Sequence, residues 1–131
     1  MSNEFRGTGN VAETPRLKTV MVGSEERSVT DMRVFFDDRR PDGQGGFEKS
    51  GGFWLDVNVW GDRRAADVVQ HVRKGARVHV VGHLTESTWT TTDTGAERRA
   101  LHLDANELFL SLGRVAGVTY QPPRAAQRKD D

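Results

Sequence analysis

The sequence predicts an all-β fold, a five-stranded OB barrel with one short helix between its third and fourth strands. Three observations predict it. Apolar residues alternate with polar ones through most of the 131-residue chain, the pattern of half-buried strands. That period gives way once, near the middle, to the i, i+3, i+4, i+7 spacing of an amphipathic helix. The last two alternating segments are then joined by a turn into a long hairpin. The length and an apolar content of 35% fit one domain and are too small for two ordinary ones. The expected limits are residues 1–112 for the barrel and 113–131 for a flexible tail. Order and periodicity alone also fit other small barrels.

The N-terminal part carries weak strand signals broken by turn formers: "EFRGTGNVA", then Pro15, then "RLKTVMV" up to Gly23. "SVTDMRVFF" alternates better, with Met32, Val34 and Phe36 on one parity and Asp31, Arg33 and Phe35 on the other. "DDRRPDGQGGFEKSGG" is rich in glycine and charge and reads as a long loop or a flexible hairpin tip. "FWLDVNVWG" is the clearest strand, with Phe53, Leu55, Val57 and Val59 toward the core.

In "DRRAADVVQHVRKG", Ala65, Val68, Val69 and Val72 form the helical stripe. Asp62 is the expected N-terminal cap, and Gly75 suits the left-handed residue that ends a helix after Arg73 and Lys74. Alternation returns in "ARVHVVGHLTESTW", where Val78, Val80 and Leu84 oppose Arg77, His79, His83 and Trp89, with Gly82 an expected bulge or bend. After a turn around Asp93, Thr94 and Gly95, "RRALHLDANELFL" closes the set with Leu101, Leu103 and Ala105 inward. From Gly113 onward few core residues remain, and disorder is expected.

Composition narrows the function classes. Nineteen basic and nineteen acidic residues cancel, so no overall cationic field announces nucleic acid, although a local patch is compatible with this balance. The absence of cysteine excludes disulfides and thiolate metal sites. No stretch approaches the roughly 18 apolar residues of a membrane span, and the start has no apolar run. The expectation is a cytoplasmic, nucleoid-associated protein without a membrane partner.

No catalytic constellation is visible. His79 and His83 would stand about 13 Å apart on a strand, too far to share a metal. The glycines of "DGQGG" are not followed by the Lys and Ser or Thr of a phosphate loop. Asp37, Asp38, Asp56 and Asp104 read as charged surface. No enzyme activity, metal or cofactor is therefore expected.

The tryptophans are the informative residues. Trp54 and Trp60 share a parity with Asp56 and Asn58, so both indoles leave the core face, separated by about 20 Å along the strand. Trp89 lies on the polar parity of the next strand, at the base of a hairpin carrying Arg98 and Arg99. Exposed indoles near basic loops fit a stacking platform for nucleic-acid bases. Phe35, also outward by parity, is a further candidate. The bland alternative is that these rings pack under loops or in a subunit contact.

The block "FWLDVNVWGDRRAADVVQHVRKGARVHVVGHLTESTW" resembles the central part of bacterial single-stranded DNA-binding proteins of the SSB type. The pieces are Trp54, Trp60-Gly61, Lys74-Gly75, Val78, Val80, Gly82, Leu84 and Trp89. The resemblance covers roughly residues 5–112 and is strongest over 53–110. It implies an OB fold, no catalysis, wrapping of single-stranded DNA, and a homo-oligomer, usually a tetramer, with a dimer the alternative. It also implies roles in replication, recombination or repair.

Carried over by position, the resemblance makes Trp54, Trp60 and Trp89 stacking residues, and Arg73 and Lys74 a basic pair. Arg39 and Arg40 stand where the family often has another stacking aromatic, and the Arg40 guanidinium can stack in its place. Asp56 stands where a basic residue near the DNA backbone is common, so a carboxylate there is expected to repel phosphate. The candidate phosphate contacts are Arg39, Lys49, Arg63, Arg73, Lys74, Arg77, Arg98 and Arg99. The end, "RAAQRKDD", has no apolar tip after its acidic pair, so recruitment of replication enzymes through such a tip is expected to be absent or altered. This fits an accessory or mobile-element paralogue better than a housekeeping copy.

Two readings follow. One is a sequence-tolerant single-strand binder. The other is an OB interaction module, similar to primosome accessory proteins, that docks a protein and touches DNA weakly. Zero net charge, Asp56 and the missing tip favour the second, and three outward indoles favour the first.

Overall fold

Alternation of apolar and polar residues makes the strands, and the computed structural model, which describes residues 3–123 apart from the side chains of Arg39, Arg40, Lys49 and Ser50, shows how they close. In chain order they are β1 (Glu4–Val11), β2 (Arg16–Val22), β3 (Glu25–Pro41), β4 (Phe47–Trp60), the helix α1 (Asp62–His71), β5 (Arg77–Thr90) and β6 (Glu97–Leu110). The sheet order is β1-β5-β6-β4-β3-β2, and β1 also pairs with β3 at Asn10↔Phe35 and Val11↔Val34. That pairing closes β1, β5, β6, β4 and β3 into a ring, while β2 extends β3 outward as an edge. Only β4 and β6 run parallel among these pairings, at Asp56↔His102 through Asn58↔Asp104.

Inside the ring, Met32, Val34 and Phe36 of β3 meet Leu55, Val57 and Val59 of β4, Val78 and Val80 of β5, and Leu103 and Ala105 of β6. Each fully buried aliphatic side chain of this kind contributes about 1.5–3 kcal/mol of burial. The helix lays Ala65 and Val68 on this core, continued by Val72. Buried Thr30 donates from Oγ1 to the Ala65 carbonyl at 2.6 Å, and Arg64 reaches the Ala105 and Asn106 carbonyls at 3.0 and 2.5 Å. These bonds tie α1 to both β3 and β6. No helix among the described residues is long and apolar enough to cross a membrane.

Several local expectations are corrected. Of the two expectations for the glycine-rich stretch after Phe36, a long loop or a hairpin tip, the structure shows a hairpin: β3 and β4 stay paired to Pro41↔Phe47, and only residues 42–46 turn. Backbone pairing overrides the weak local propensity there, because the strands leaving the barrel are already in register. The helix is preceded by Gly61 at φ 111°, with Asp62 in its first turn making no capping bond. It ends at His71, because Val72 is already extended; Gly75, at φ 92°, belongs to the following turn instead. That turn is held by Ala76 N–H on Arg73 O and Gly75 N–H on Val11 O.

The irregularity near Gly82 lies on the partner strand. Val81 pairs with Glu107 and Gly82 with Ala105, which leaves Asn106 of β6 as the extra residue. Gly82 allows a close approach: a Cβ there would stand 2.3 Å from the Asp104 carbonyl oxygen. Two residues of the expected core are also half-exposed. Phe53 packs only partly, against Phe5 and Phe36 with ring centres 5.9 Å away, and Leu101 lies on the β5–β6 hairpin beyond the ring. After one short 3-10 turn at Leu112–Arg114 the chain is irregular to residue 123. The tip "RAAQRKDD" lies outside the described residues.

Candidate nucleic-acid interface

The strand registers bring the outward positions of four strands onto one face. Phe35, Arg33 and Asp31 of β3 stand opposite Trp54, Asp56 and Asn58 of β4. Asp56 and Asn58 are in turn beside His102 and Asp104 of β6. Across the β5–β6 hairpin, Thr85, Ser87 and Trp89 oppose His102, Ala100 and Arg98. An open groove of about 420 Å³ runs over this face, with Lys18, Asp31, Arg33, Asp56, His102 and Trp89 among its walls.

Each tryptophan sits differently. Trp54 is 48% exposed; Phe35 leans on it with ring centres 5.0 Å apart and planes at 55°. The Arg33 guanidinium lies 5.2 Å from its ring centre. Trp89 is 49% exposed and has Arg98 directly opposite. Trp60 is only half-buried in the same face, and its Nε1–H donates to Asp104 Oδ1 at 3.2 Å. Asp104 Oδ2 accepts from Thr85 Oγ1 at 3.0 Å and lies 3.7 Å from His102 Nε2. Trp60 is therefore tethered through its indole N–H and less exposed than Trp54 and Trp89, which present open ring surface.

Two carboxylates on the face, Asp56 and Asp31, are paired with cations. Arg33 meets Asp56 at 2.9 Å, and Lys18 meets Asp31 at 2.9 Å with Arg16 at 3.9 Å. Asp56 thus carries a counter-charge, which offsets in part the repulsion of phosphate expected of a carboxylate at this position. Exposed pairs of this kind are worth only about 0–1 kcal/mol, so their cations can exchange a carboxylate for another anion at little cost.

The basic candidates separate. Arg98 flanks Trp89 on the face, but Arg99, opposite Thr88, projects from the other side of the hairpin. Arg63 is exposed on the first turn of α1, and Arg73 and Lys74 are exposed in the turn before β5. Arg77 is corrected from a phosphate contact to a structural cation: its Nη1 meets Asp37 at 2.9 Å and Asn10 at 3.2 Å, and the side chains of the ion pair are 15% and 0% exposed. The pair with a buried carboxylate holds it largely out of solvent, although its strand parity is outward. The side chains of Arg39, Arg40 and Lys49 lie outside the described residues; their backbones continue the β3–β4 pairing. His79 bonds Thr8 Oγ1 at 2.9 Å.

Sequence reasoning left out Arg33 and Asp104 as functional residues. Parity placed Arg33 outward, but nothing local shows that it crosses to Trp54 and Asp56. Asp104 lies 44 residues from the indole it holds, and only the parallel β4–β6 pairing reveals the contact.

A ring of β1, β5, β6, β4 and β3 with α1 between β4 and β5 is an OB fold, and its open face carries the aromatic and charged residues just described. Over residues 3–111 the sequence matches the Single-strand binding protein family, and the chain belongs to that family. The Single-stranded DNA-binding protein of Corynebacterium glutamicum is 30% identical over 118 residues, 88% of this chain and 50% of that protein. A Uridylate kinase of Rubrobacter xylanophilus is 39% identical over 56 residues, 43% of this chain and 22% of the kinase. The chain thus spans half or less of the length of these curated relatives.

Two solved structures share the fold at 20% identity. The small single-stranded DNA-binding protein from Streptomyces coelicolor matches with a TM-score of 0.68 over 87% of this chain and 98% of that one. A Plasmodium falciparum SSB complex with ssDNA matches with a TM-score of 0.63 over 85% and 96%.

Proposed function

We propose that this protein binds single-stranded DNA with little sequence preference, stacking bases on one sheet face and pairing phosphates with the cations around it. The observation that carries this reading is the placement of Trp54 and Trp89, both about half-exposed on the same face, each with an arginine beside it. Aromatic faces accept any base, at about 1–3 kcal/mol each. Arg33 and Arg98 supply the nearest positive charge; Arg63, Arg73 and Lys74 are further candidates around it, and Arg39, Arg40 and Lys49 remain candidates from the sequence. Family membership supports the reading, as does the single-stranded DNA named in the Plasmodium falciparum complex.

The protein acts by binding, with no catalytic step. Its proposed role is to protect single strands during replication, recombination or repair in the cytoplasm, as a homo-oligomer, with a tetramer favoured over a dimer. The pairing of Asp56 with Arg33 offsets one feature that favoured a protein-docking module.

A competition assay tests the proposal. Retention of a labelled oligo-dT on the protein should survive excess duplex DNA and yield to excess unlabelled single strands of any composition. Competition by duplex as effective as by single strands would refute it.

A further inference from the structure

We propose that Phe47 is a further base-stacking residue, which extends the binding track from Trp54 along the β3–β4 hairpin; this rests on the single-strand reading above. Counted back from Trp54 by alternation, Phe47 belongs to the core parity, with Phe53 and Leu55. The pairing changes that. Asp38 opposes Gly51 and Arg39 opposes Lys49, so Ser50 is an extra residue in β4. Alternation along β3 is unbroken, and positions 35, 37, 39 and 41 share a face. Their partners are positions 54, 52, 49 and 47. The bulge thus shifts Phe47 from the core parity to the face of Trp54.

The ring has no folding role that would explain it there. Phe47 is 68% exposed, more than Trp54 or Trp89, and is not part of the core. Among the described residues it stacks on no other ring. Yet its position is held. Asp42 Oδ1 accepts from the Gln44 and Gly46 amides at 2.8 and 3.1 Å, and Asp42 N–H donates to Gly46 O at 3.1 Å. Gly43 and Gly45 supply the positive φ angles, 80° and 88°, that this turn requires. The two amides hold the Asp42 carboxyl below its ordinary range, which is what a carboxylate serving as the turn's acceptor requires. A tight turn therefore presents Phe47 at its base.

From Trp54 to Phe47 is about 20 Å along the ladder, room for several nucleotides between the two rings. An unsubstituted phenyl ring offers stacking surface without hydrogen-bonding groups, so it adds reach and affinity and no base preference.

The test compares wild type with Phe47→Ala, Phe47→Tyr and Trp54→Ala, using a long oligo-dT and one of fewer than about 8 nucleotides. Phe47→Ala should weaken the long oligonucleotide by about 5- to 100-fold and the short one by less than about twofold, because the short one occupies the Trp54 and Trp89 region. Phe47→Tyr should restore long-oligonucleotide binding. Ultraviolet cross-linking of the unmodified protein to oligo-dT should place a thymidine adduct on the peptide containing Phe47. Unchanged long-oligonucleotide affinity for Phe47→Ala, with Trp54→Ala impaired, overturns the proposal and spares the single-strand reading. A changed oligomer mass for Phe47→Ala with unchanged affinity also overturns it and assigns the ring to a subunit contact. Wild type that binds neither oligonucleotide overturns both.

Discussion

The Arg33 guanidinium lies 5.2 Å from the centre of the Trp54 indole while its Nη1 meets Asp56 at 2.9 Å. One cation therefore serves a ring that can stack a base and a carboxylate that offsets its charge. Both partners are exposed, so the arrangement is cheap to rearrange when a phosphate arrives. Asp56→Asn should free Arg33 for that phosphate. The expected result is tighter binding at low salt, with a slope of log K against log salt steeper by about 0.7, the value for one more contact to a single strand. Arg33→Ala should do the reverse, with weaker binding and a shallower slope.

Arg77→Ala should damage stability and spare binding. The side chain of its partner Asp37 is fully buried, and breaking a buried pair by removing one member costs about 3–5 kcal/mol. Urea unfolding should show the loss as a lower midpoint. Titration of the remaining folded protein with oligo-dT should give an affinity within about twofold of wild type.

Asp104→Ala should release Trp60. The indole N–H would lose its acceptor, at a cost of about 1–3 kcal/mol for a polar group left without a partner. Loosening a wall of the face should also weaken oligo-dT binding. Asp104→Asn keeps an acceptor oxygen and should retain most of both, which separates a hydrogen-bonding role from a charge role.

Gly82→Ala should be destabilising by about 1–3 kcal/mol, since the added Cβ would collide with the Asp104 carbonyl at 2.3 Å. Because that carbonyl belongs to the residue that holds Trp60, a shift in the fluorescence of the free protein should accompany the lower stability. Unchanged unfolding would mean that β6 can move away at the bulge without cost.

What the sequence revealed and what it hid follow from the range of the interactions. The outward position of Trp54 and the core positions of Leu55, Val57 and Val59 depend on alternation within one strand, and they were legible. The helical stripe through Ala65, Val68 and Val72 was legible for the same reason. How far the β3–β4 hairpin stays paired was not, because its glycines and charges disfavour strands locally and only the register with the barrel extends them. Arg77 was misjudged because parity tells which way a side chain leaves the strand and not what waits there: Asp37 lay in a segment that read as loop. Phe47 lay in that same stretch, and the unopposed residue at Ser50 that sets its face has no sequence mark.

The central claim is that Trp54 and Trp89 are the surface on which bases stack. Tryptophan fluorescence during titration with a long oligo-dT, at low and at near-molar salt, for wild type and for Trp54→Ala and Trp89→Ala, tests it most directly. The account predicts strong quenching that persists in high salt, with each substitution reducing it and weakening binding by about 5- to 100-fold. Weak quenching that modest salt abolishes, with affinity indifferent to both substitutions, would contradict it.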